Sequence, residues 1–270
     1  MIPVGFSYRR ASTVDEALVL LTEHGDDAKL LAGGHSLLPL MKLRLATPEV
    51  VVDLAPLDEL RYVRAEDGAV RIGALTRYRD LHTDPVLREH APLVAHAAGV
   101  IGDPQVRHRG TIGGSLAHAD PAGDLPAAIL ASDAVLVTRG PDGEREIPAA
   151  EFFVGPFTTP LEPDELLTEI RVPARAGIGW GFEKFTRRAI DWAIVGVAVV
   201  GDSVALINMG GSPLRAHATE EALSQGASRA EAAELAAQDT SPAEEPHASA
   251  EYRKHLARVL TARALASAAA

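Results

Sequence analysis

Two glycine pairs carry the chemistry legible in this chain. Gly33-Gly34 sits in Leu31-Ala32-Gly33-Gly34-His35-Ser36-Leu37-Leu38-Pro39, and Gly113-Gly114 in Gly110-Thr111-Ile112-Gly113-Gly114-Ser115-Leu116-Ala117-His118. Glycine permits positive φ and close backbone approach to a ligand, so successive amides can point at one anion. A helix start adds a partial positive charge at the same place. A phosphate or pyrophosphate requires this arrangement. In the first segment an apolar strand enters the Gly-Gly turn, and Ser36 is placed to cap a short helical turn. The same residues would also make an ordinary tight strand-to-helix turn. The pattern is neither a Rossmann G-x-G-x-x-G nor a P-loop, since no Gly-Lys-Ser follows.

The second segment runs from Ile101 to Pro126 and reads as one long structured loop, dense in Gly and Pro, with three aspartates and two histidines. Ordering such a loop costs conformational entropy that no regular ladder offsets, which points to function. Thr111 and Ser115 supply hydroxyls beside Gly113-Gly114. Asp124, just before Leu125-Pro126, is placed as a helix N-cap. Together the two segments suggest an extended, doubly phosphorylated ligand gripped at two points.

Other chemistries find less support. His108 and His118, even with Asp120, fit no helix-face spacing for a metal and read as structural histidines. No G-x-S-x-G elbow supports a serine hydrolase. The 270 residues include no cysteine, which excludes disulfides, thiol nucleophiles and cysteine-ligated clusters within the chain. With 26 basic and 37 acidic side chains the formal charge is −11, and the basic residues are scattered, against a nucleic-acid surface. No apolar run is long enough for a transmembrane segment, and the start MIPVGFSYRR has no apolar signal core, so a cytoplasmic location is expected.

The elements that must position these residues follow from periodicity. Thr13 caps an expected helix over Val14 to Glu23, with Glu16 completing a capping box and Val14, Ala17, Leu18 and Leu21 on one face. Strands are expected at Lys29–Ala32, Val50–Leu54, Ala69–Ala74, Ala134–Thr138 and Leu167–Val172. Helices are expected after Asp84-Pro85 and over Ala91–Ala98. Pro173 to Gly179 reads as a linker. Ala193–Val200 and Ser203–Asn208 flank Gly201-Asp202 as a hairpin. Helices are read over Ala216–Ser224, Arg229–Gln238 and Glu251–Ala268, with the Ala-rich end after Leu265 fraying. The order is that of an α+β protein: a mixed domain over 1–175, divided near 55, and a small sheet backed by helices over 176–270.

The two glycine segments resemble the signature loops of the FAD-binding medium subunits of the molybdenum hydroxylases, the group that includes aerobic carbon monoxide dehydrogenase and the flavin domain of xanthine dehydrogenase. Phe6-Ser7-Tyr8-Arg9-Arg10-Ala11-Ser12, Gly181-Phe182-Glu183-Lys184-Phe185 and His247-Ala248-Ser249-Ala250-Glu251-Tyr252-Arg253 extend the resemblance over essentially the whole chain. It implies an FAD-binding domain of the vanillyl-alcohol-oxidase (PCMH) type, made of two α+β subdomains, followed by a small C-terminal α+β domain. It implies that Ala32, Gly33, Gly34, His35 and Ser36 hold the pyrophosphate, with Leu37 alongside. Thr111, Gly113, Gly114 and Ser115 would wrap the ribityl and flavin region, with Asp120 and Asp124 nearby. Ser115 stands where the family more often has Asn, with a shorter reach. Ile101, Leu167 and Lys184 fall at further FAD contacts. Trp192 falls beside the flavin ring, or is a half-buried strand aromatic.

The function implied is electron transfer. Substrate is oxidised in a molybdenum-cofactor large subunit, electrons pass through a 2Fe–2S small subunit, and the FAD-bearing chain delivers them to an external acceptor, which could be a quinone, NAD or oxygen. No residue of this chain is then required as a general acid or base. The alternatives are a self-sufficient FAD-dependent oxidase or dehydrogenase acting directly on a small organic substrate, and a scaffold that has lost FAD. The sequence offers no clear acid–base set for the first, and the intact glycine pairs count against the second.

Overall fold

The structure, a computed structural model, describes residues 2–269 and is built on three sheets. The first is parallel: β1 (Ser7–Arg10), β2 (Ala28–Leu31) and β3 (Val50–Asp53), with β3 central. Ser7 and Ala28 both pair with Val50, and Arg10 and Leu31 with Asp53. Parallel strands need crossovers, supplied by α1 (Val14–His24) and α2 (Leu37–Leu43). Thr13 Oγ1 accepts from Glu16 N at 3.1 Å, as expected of the cap. The Glu16 carboxylate reaches back one residue further than a capping box, to Ser12 N at 2.8 Å. The apolar face Val14, Ala17, Leu18 and Leu21 is buried against Val50, Val52 and Leu54. Ser36 stands at the cap of α2, but its hydroxyl makes no capping bond. Its backbone is already helical, at φ −104° and ψ −55°, rather than extended as a cap requires.

The second sheet is antiparallel in the order β4-β5-β8-β6-β7, from β4 (Val63–Glu66), β5 (Ala69–Gly73), β6 (Val135–Gly140), β7 (Gly143–Pro148) and β8 (Leu166–Pro173). Between β5 and β6 run α3 (Tyr78–Thr83), α4 (Pro85–His90), α5 (Pro92–Gly99), α6 (Pro104–Arg109), α7 (Ile112–His118) and α8 (Asp124–Ala131), and α9 (Ala149–Phe152) follows β7. The expected long loop over residues 101–126 is therefore a string of short helices. Local capping explains the difference: Asp103 Oδ1 accepts from Val106 N at 3.0 Å ahead of Pro104, and Thr111 Oγ1 accepts from Gly114 N at 3.3 Å. Ala119, at φ +50°, ends α7. Asp124 is not a cap. Gly123 holds that position, and Asp124 is the first residue of α8.

The third sheet is antiparallel, β12-β11-β10-β9, from β9 (Trp180–Phe185), β10 (Val195–Val200), β11 (Ser203–Ile207) and β12 (Leu214–Arg215). Gly201-Asp202 joins β10 to β11 as a two-residue turn, with Val200 paired to Ser203 and Gly201 at φ +58°. Around it lie α10 (His217–Ser224), α11 (Arg229–Glu234) and α12 (Ala250–Ser267). Strand β10 is buried on both faces. Val195, Val197 and Val199 pack with Leu256 and Leu260 of α12, while Ala198 and Val200 join the core of the second sheet.

Two expectations fail at the C-terminus. α11 stops at Glu234, short of Gln238. The Ala-rich end does not fray: it stays helical to Ser267, and its backbone lies so close to Gly179 and Gly181 that a Cβ at either would overlap the Ala268 or Ala264 carbonyl. Only tertiary contact makes that end stable.

Candidate functional site

Both glycine segments open onto one cleft of about 440 Å³, walled by the first and second sheets and their connections. The first sheet contributes Lys29, Leu30 and the turn from Ala32 to Leu37. The second contributes Leu75, Tyr78, Thr111, Gly113, Gly114, Ala117, His118, Leu166 and Leu167, with residues 159–163 at the margin. The two segments touch directly, since a Cβ on Gly33 would overlap the Arg109 carbonyl. Gly34 has φ +79°, a conformation glycine adopts without strain. Gly113 is required by packing, because a Cβ there would lie 2.6 Å from Ala74 Cβ. Gly114 is the most open of the four, its missing Cβ facing only Thr111 Oγ1 at 2.9 Å and Ala32 Cβ at 3.8 Å.

The turn after β2 holds the donors. Among the described residues, the amides of Gly34, His35, Ser36 and Leu37 make no hydrogen bond to the protein. Four successive unclaimed N–H groups at the start of α2, in the wall of a cleft, are what the oxygens of a pyrophosphate accept from. Apolar walls at Leu30, Leu54, Leu75 and Leu167 suit flat aromatic rings. The residues present therefore fit an FAD.

The cleft brings together ten of the residues singled out by sequence: Ala32, Gly33, Gly34, His35, Ser36, Leu37, Thr111, Gly113, Gly114 and Leu167. The other six lie outside its wall. Ser115 lies beside Tyr78, which does line the cleft. Asp120 Oδ1 accepts from Ala122 N at 2.9 Å and shapes the turn into α8. Asp124 and Lys184 form a buried pair at 2.7 Å, and Lys184 Nζ also donates to Val100 O at 3.5 Å, next to Ile101. Trp192 is neither a wall residue nor a half-buried strand aromatic: it sits ahead of β10 and is 60% exposed.

Burial sets the electrostatics beyond the cleft. It pushes the Asp124 carboxyl up to about 6 despite the Lys184 ammonium and its hydrogen bond, which pull the other way. Asp124 Oδ1 is buried with no hydrogen-bond partner. Burial likewise raises Tyr78 to about 12, so its phenol stays protonated and able to donate. Burial lowers His118, partly countered by Asp120, which keeps its imidazole neutral near pH 7. Tyr78 and His118 are wall residues that sequence reasoning did not place at the site. No motif marks Tyr78, whereas His118 lies in the second glycine segment but reads by sequence as a structural histidine of a loop, and only the structure places it in the last turn of α7.

Comparison with known proteins identifies the fold. Residues 4–175 match the family described as the FAD binding domain in molybdopterin dehydrogenase, and residues 180–268 match the CO dehydrogenase flavoprotein C-terminal domain. The carbon monoxide dehydrogenase medium chain of Hydrogenophaga pseudoflava is 45% identical over 279 residues, covering 98% of this chain and 97% of that one. The XdhB protein of Escherichia coli K12, a xanthine dehydrogenase FAD-binding subunit by description, is 31% identical over 98% of this chain and 96% of its own length. The solved carbon monoxide dehydrogenase of H. pseudoflava superposes with a TM-score of 0.95 at 46% identity, covering 99% of this chain and 98% of that one. Quinoline 2-oxidoreductase from Pseudomonas putida 86 superposes at 0.93 with 30% identity, over 100% and 99%. With a cleft whose free amides suit a pyrophosphate, and with two family models matched in succession along its length, the chain belongs to the FAD-binding flavoprotein family of the molybdenum hydroxylases, and FAD is its cofactor.

Proposed function

We propose that this chain is the electron-exit subunit of a molybdenum hydroxylase complex, receiving electrons from 2Fe–2S clusters in a small partner subunit and passing them to an external acceptor. FAD supplies a carrier that can exchange electrons singly on one side and in pairs on the other. The residues of the chain bind and orient it. The free amides of Gly34 to Leu37 hold the pyrophosphate, with Ala32 and Gly33 bringing that turn against the second glycine segment. Thr111, Gly113 and Gly114 give the ribityl chain close backbone approach. Ser115 acts through Tyr78, and Leu167 closes the apolar wall. Ile101, Asp120, Asp124, Lys184 and Trp192 lie outside the cleft wall and enter the proposal as residues around the flavin end rather than as wall contacts.

The single observation that carries this reading is the pairing of a pyrophosphate-ready cleft with a chain that contains no cysteine. Any cysteine-ligated cluster that feeds electrons to it must then be held by residues outside this sequence. The division into a cofactor-binding part over 1–175, broken near 55, and a C-terminal part over 176–270 belongs to the same proposal, as does a cytoplasmic setting beside a molybdenum-cofactor large subunit. The relatives' names support it, being medium chains or FAD-binding subunits of named dehydrogenases.

The test is anaerobic reduction of the flavin. The purified chain should carry FAD and remain oxidised when the complex's substrate is added, and should be reduced once the partner subunits are supplied. Rapid reduction of the isolated chain by a small organic substrate would replace this reading with the self-sufficient dehydrogenase.

A further inference from the structure

Behind the first glycine turn lies a second, much smaller concavity of about 30 Å³, lined by Arg61, Arg77 and Arg109 together with Ala32, Leu75 and Thr111. Three guanidinium-bearing side chains converge there from three separate elements. Arg61 follows the short 3₁₀ turn Asp58–Leu60, Arg77 precedes α3, and Arg109 ends α6. Backbone contacts fix the convergence. Leu75 N donates to Leu60 O at 2.9 Å, Tyr78 N to Gly110 O at 3.0 Å, and Arg77 bridges Thr111.

Two of the three charges there have no acidic partner in the fold. Among the described residues, the guanidinium groups of half-buried Arg77 and exposed Arg109 have no hydrogen-bond or ion-pair partner. Arg107, two residues before Arg109, contrasts with them, donating to the carbonyls of Ile101 and Gly102 at 3.0 Å each. Arg61 pairs with Asp58 and with the Ala55 carbonyl through its terminal nitrogens, yet its Nε is buried and unsatisfied. No acidic side chain lines the concavity, in a chain whose formal charge is −11. An oxyanion in this concavity would neutralise the charges of Arg77 and Arg109 while accepting paired N–H donors.

We propose that Arg61, Arg77 and Arg109 form an oxyanion site, separate from the FAD cleft and sharing with it the wall residues Ala32, Leu75 and Thr111. The volume admits one phosphate or carboxylate group, not a nucleotide. The oxyanion is either a free phosphate-type ion or a carboxylate that a partner subunit brings to this face on assembly, and the two sources are separable by experiment.

The probe is inorganic phosphate, titrated calorimetrically at low ionic strength into the full chain already saturated with FAD, so that the pyrophosphate cleft is occupied. One equivalent should bind saturably, and binding should weaken as chloride is added. Arg77→Ala/Arg109→Ala should weaken it by about tenfold or more, as expected for the loss of charge-assisted hydrogen bonds. Arg77→Lys/Arg109→Lys, which keeps the charge but loses the paired donors, should recover only part of it, and Arg229→Ala, which removes a charge elsewhere, should leave it unchanged. FAD content and the melting temperature check that each variant is folded. The same titration of the assembled complex separates the sources: retained binding identifies a free ion, and binding lost on assembly identifies a partner carboxylate. Absence of saturable binding to the FAD-loaded chain, or equal binding by the folded Ala/Ala variant, overturns the proposal without touching the FAD assignment.

Discussion

Gly33 and Gly114 are both glycine, but for different reasons, and substitutions can separate them. A Cβ at Gly33 collides with backbone at Arg109, so Gly33→Ala should part the two glycine segments and lower both stability and FAD content. A Cβ at Gly114 meets no backbone, only the Thr111 hydroxyl at 2.9 Å and Ala32 Cβ at 3.8 Å. Gly114→Asp should therefore fold while placing a carboxylate against the cofactor, and FAD per chain, read from visible absorbance, should fall by about tenfold or more. Unchanged flavin content in folded Gly114→Asp rejects the second segment as a cofactor contact. Asp124 gives a pH prediction. Its carboxyl sits at about 6 in the folded chain against an ordinary 3.8, so the folded state holds the proton more tightly than the unfolded one. The stability that this protonation contributes is fully present below about pH 3.8 and is lost as pH rises through about 6. A carbon NMR titration of the Asp124 carboxyl should show a midpoint well above the usual carboxylate range, and Lys184→Met should raise it further, because the nearby positive charge is removed. A midpoint near 4 in the wild-type chain would contradict the burial account.

At the scale of elements, α12 is held by absences as much as by contacts. Gly179 and Gly181 let its last turns lie on β9, while Leu256, Leu260, Ala264 and Leu265 fill the space beneath β10. Its start is fixed by Ser249, whose Oγ accepts from Tyr252 N at 3.1 Å, and by Arg253, which is 1% exposed and donates to Ile194 O at 2.6 Å. Ser249→Ala should cost about 1 kcal/mol, measurable in a denaturant melt. Gly181→Val should cost several times that, because its side chain must displace the backbone of α12 rather than a movable side chain. Comparable losses in the two variants would mean that the helix is not clamped at this point. The capped short helices α6 and α7 work in the same way at the cofactor end: each cap starts a helix that the next glycine or left-handed residue stops, and the alternation folds residues 101–126 along the cleft.

For the whole molecule, the expected outcome is assembly. Co-expressed with molybdenum-cofactor and iron–sulfur subunits of the same source, the chain should elute from a sizing column in a complex with both. A chain that elutes alone with those partners present would reject the subunit reading while leaving FAD binding intact. No helix among the described residues is long and apolar enough to cross a membrane.

Much of this was legible in the residues themselves. Local rules sufficed for the Thr13 cap, the valine-rich strand at Val50 and the Gly201-Asp202 turn, because each depends on neighbours a few positions away. The glycine segments likewise suggested an anion, beside the reading as ordinary tight turns, since backbone conformation and amide exposure are local properties. Contacts between distant parts of the chain were not legible. The burial of Asp124 against Lys184, the entry of Tyr78 into the cleft wall, the exposure of Trp192 and the convergence of three arginines each depend on which elements meet in space. Hydrogen bonds and ion pairs between residues tens of positions apart leave no periodic trace in the sequence. The sequence alone therefore determined that this chain carries two glycine-rich turns suited to a phosphorylated cofactor. Only the tertiary structure decided which side chains face that cofactor and which charges are left free for another ligand, because burial and pairing are properties of the packed whole.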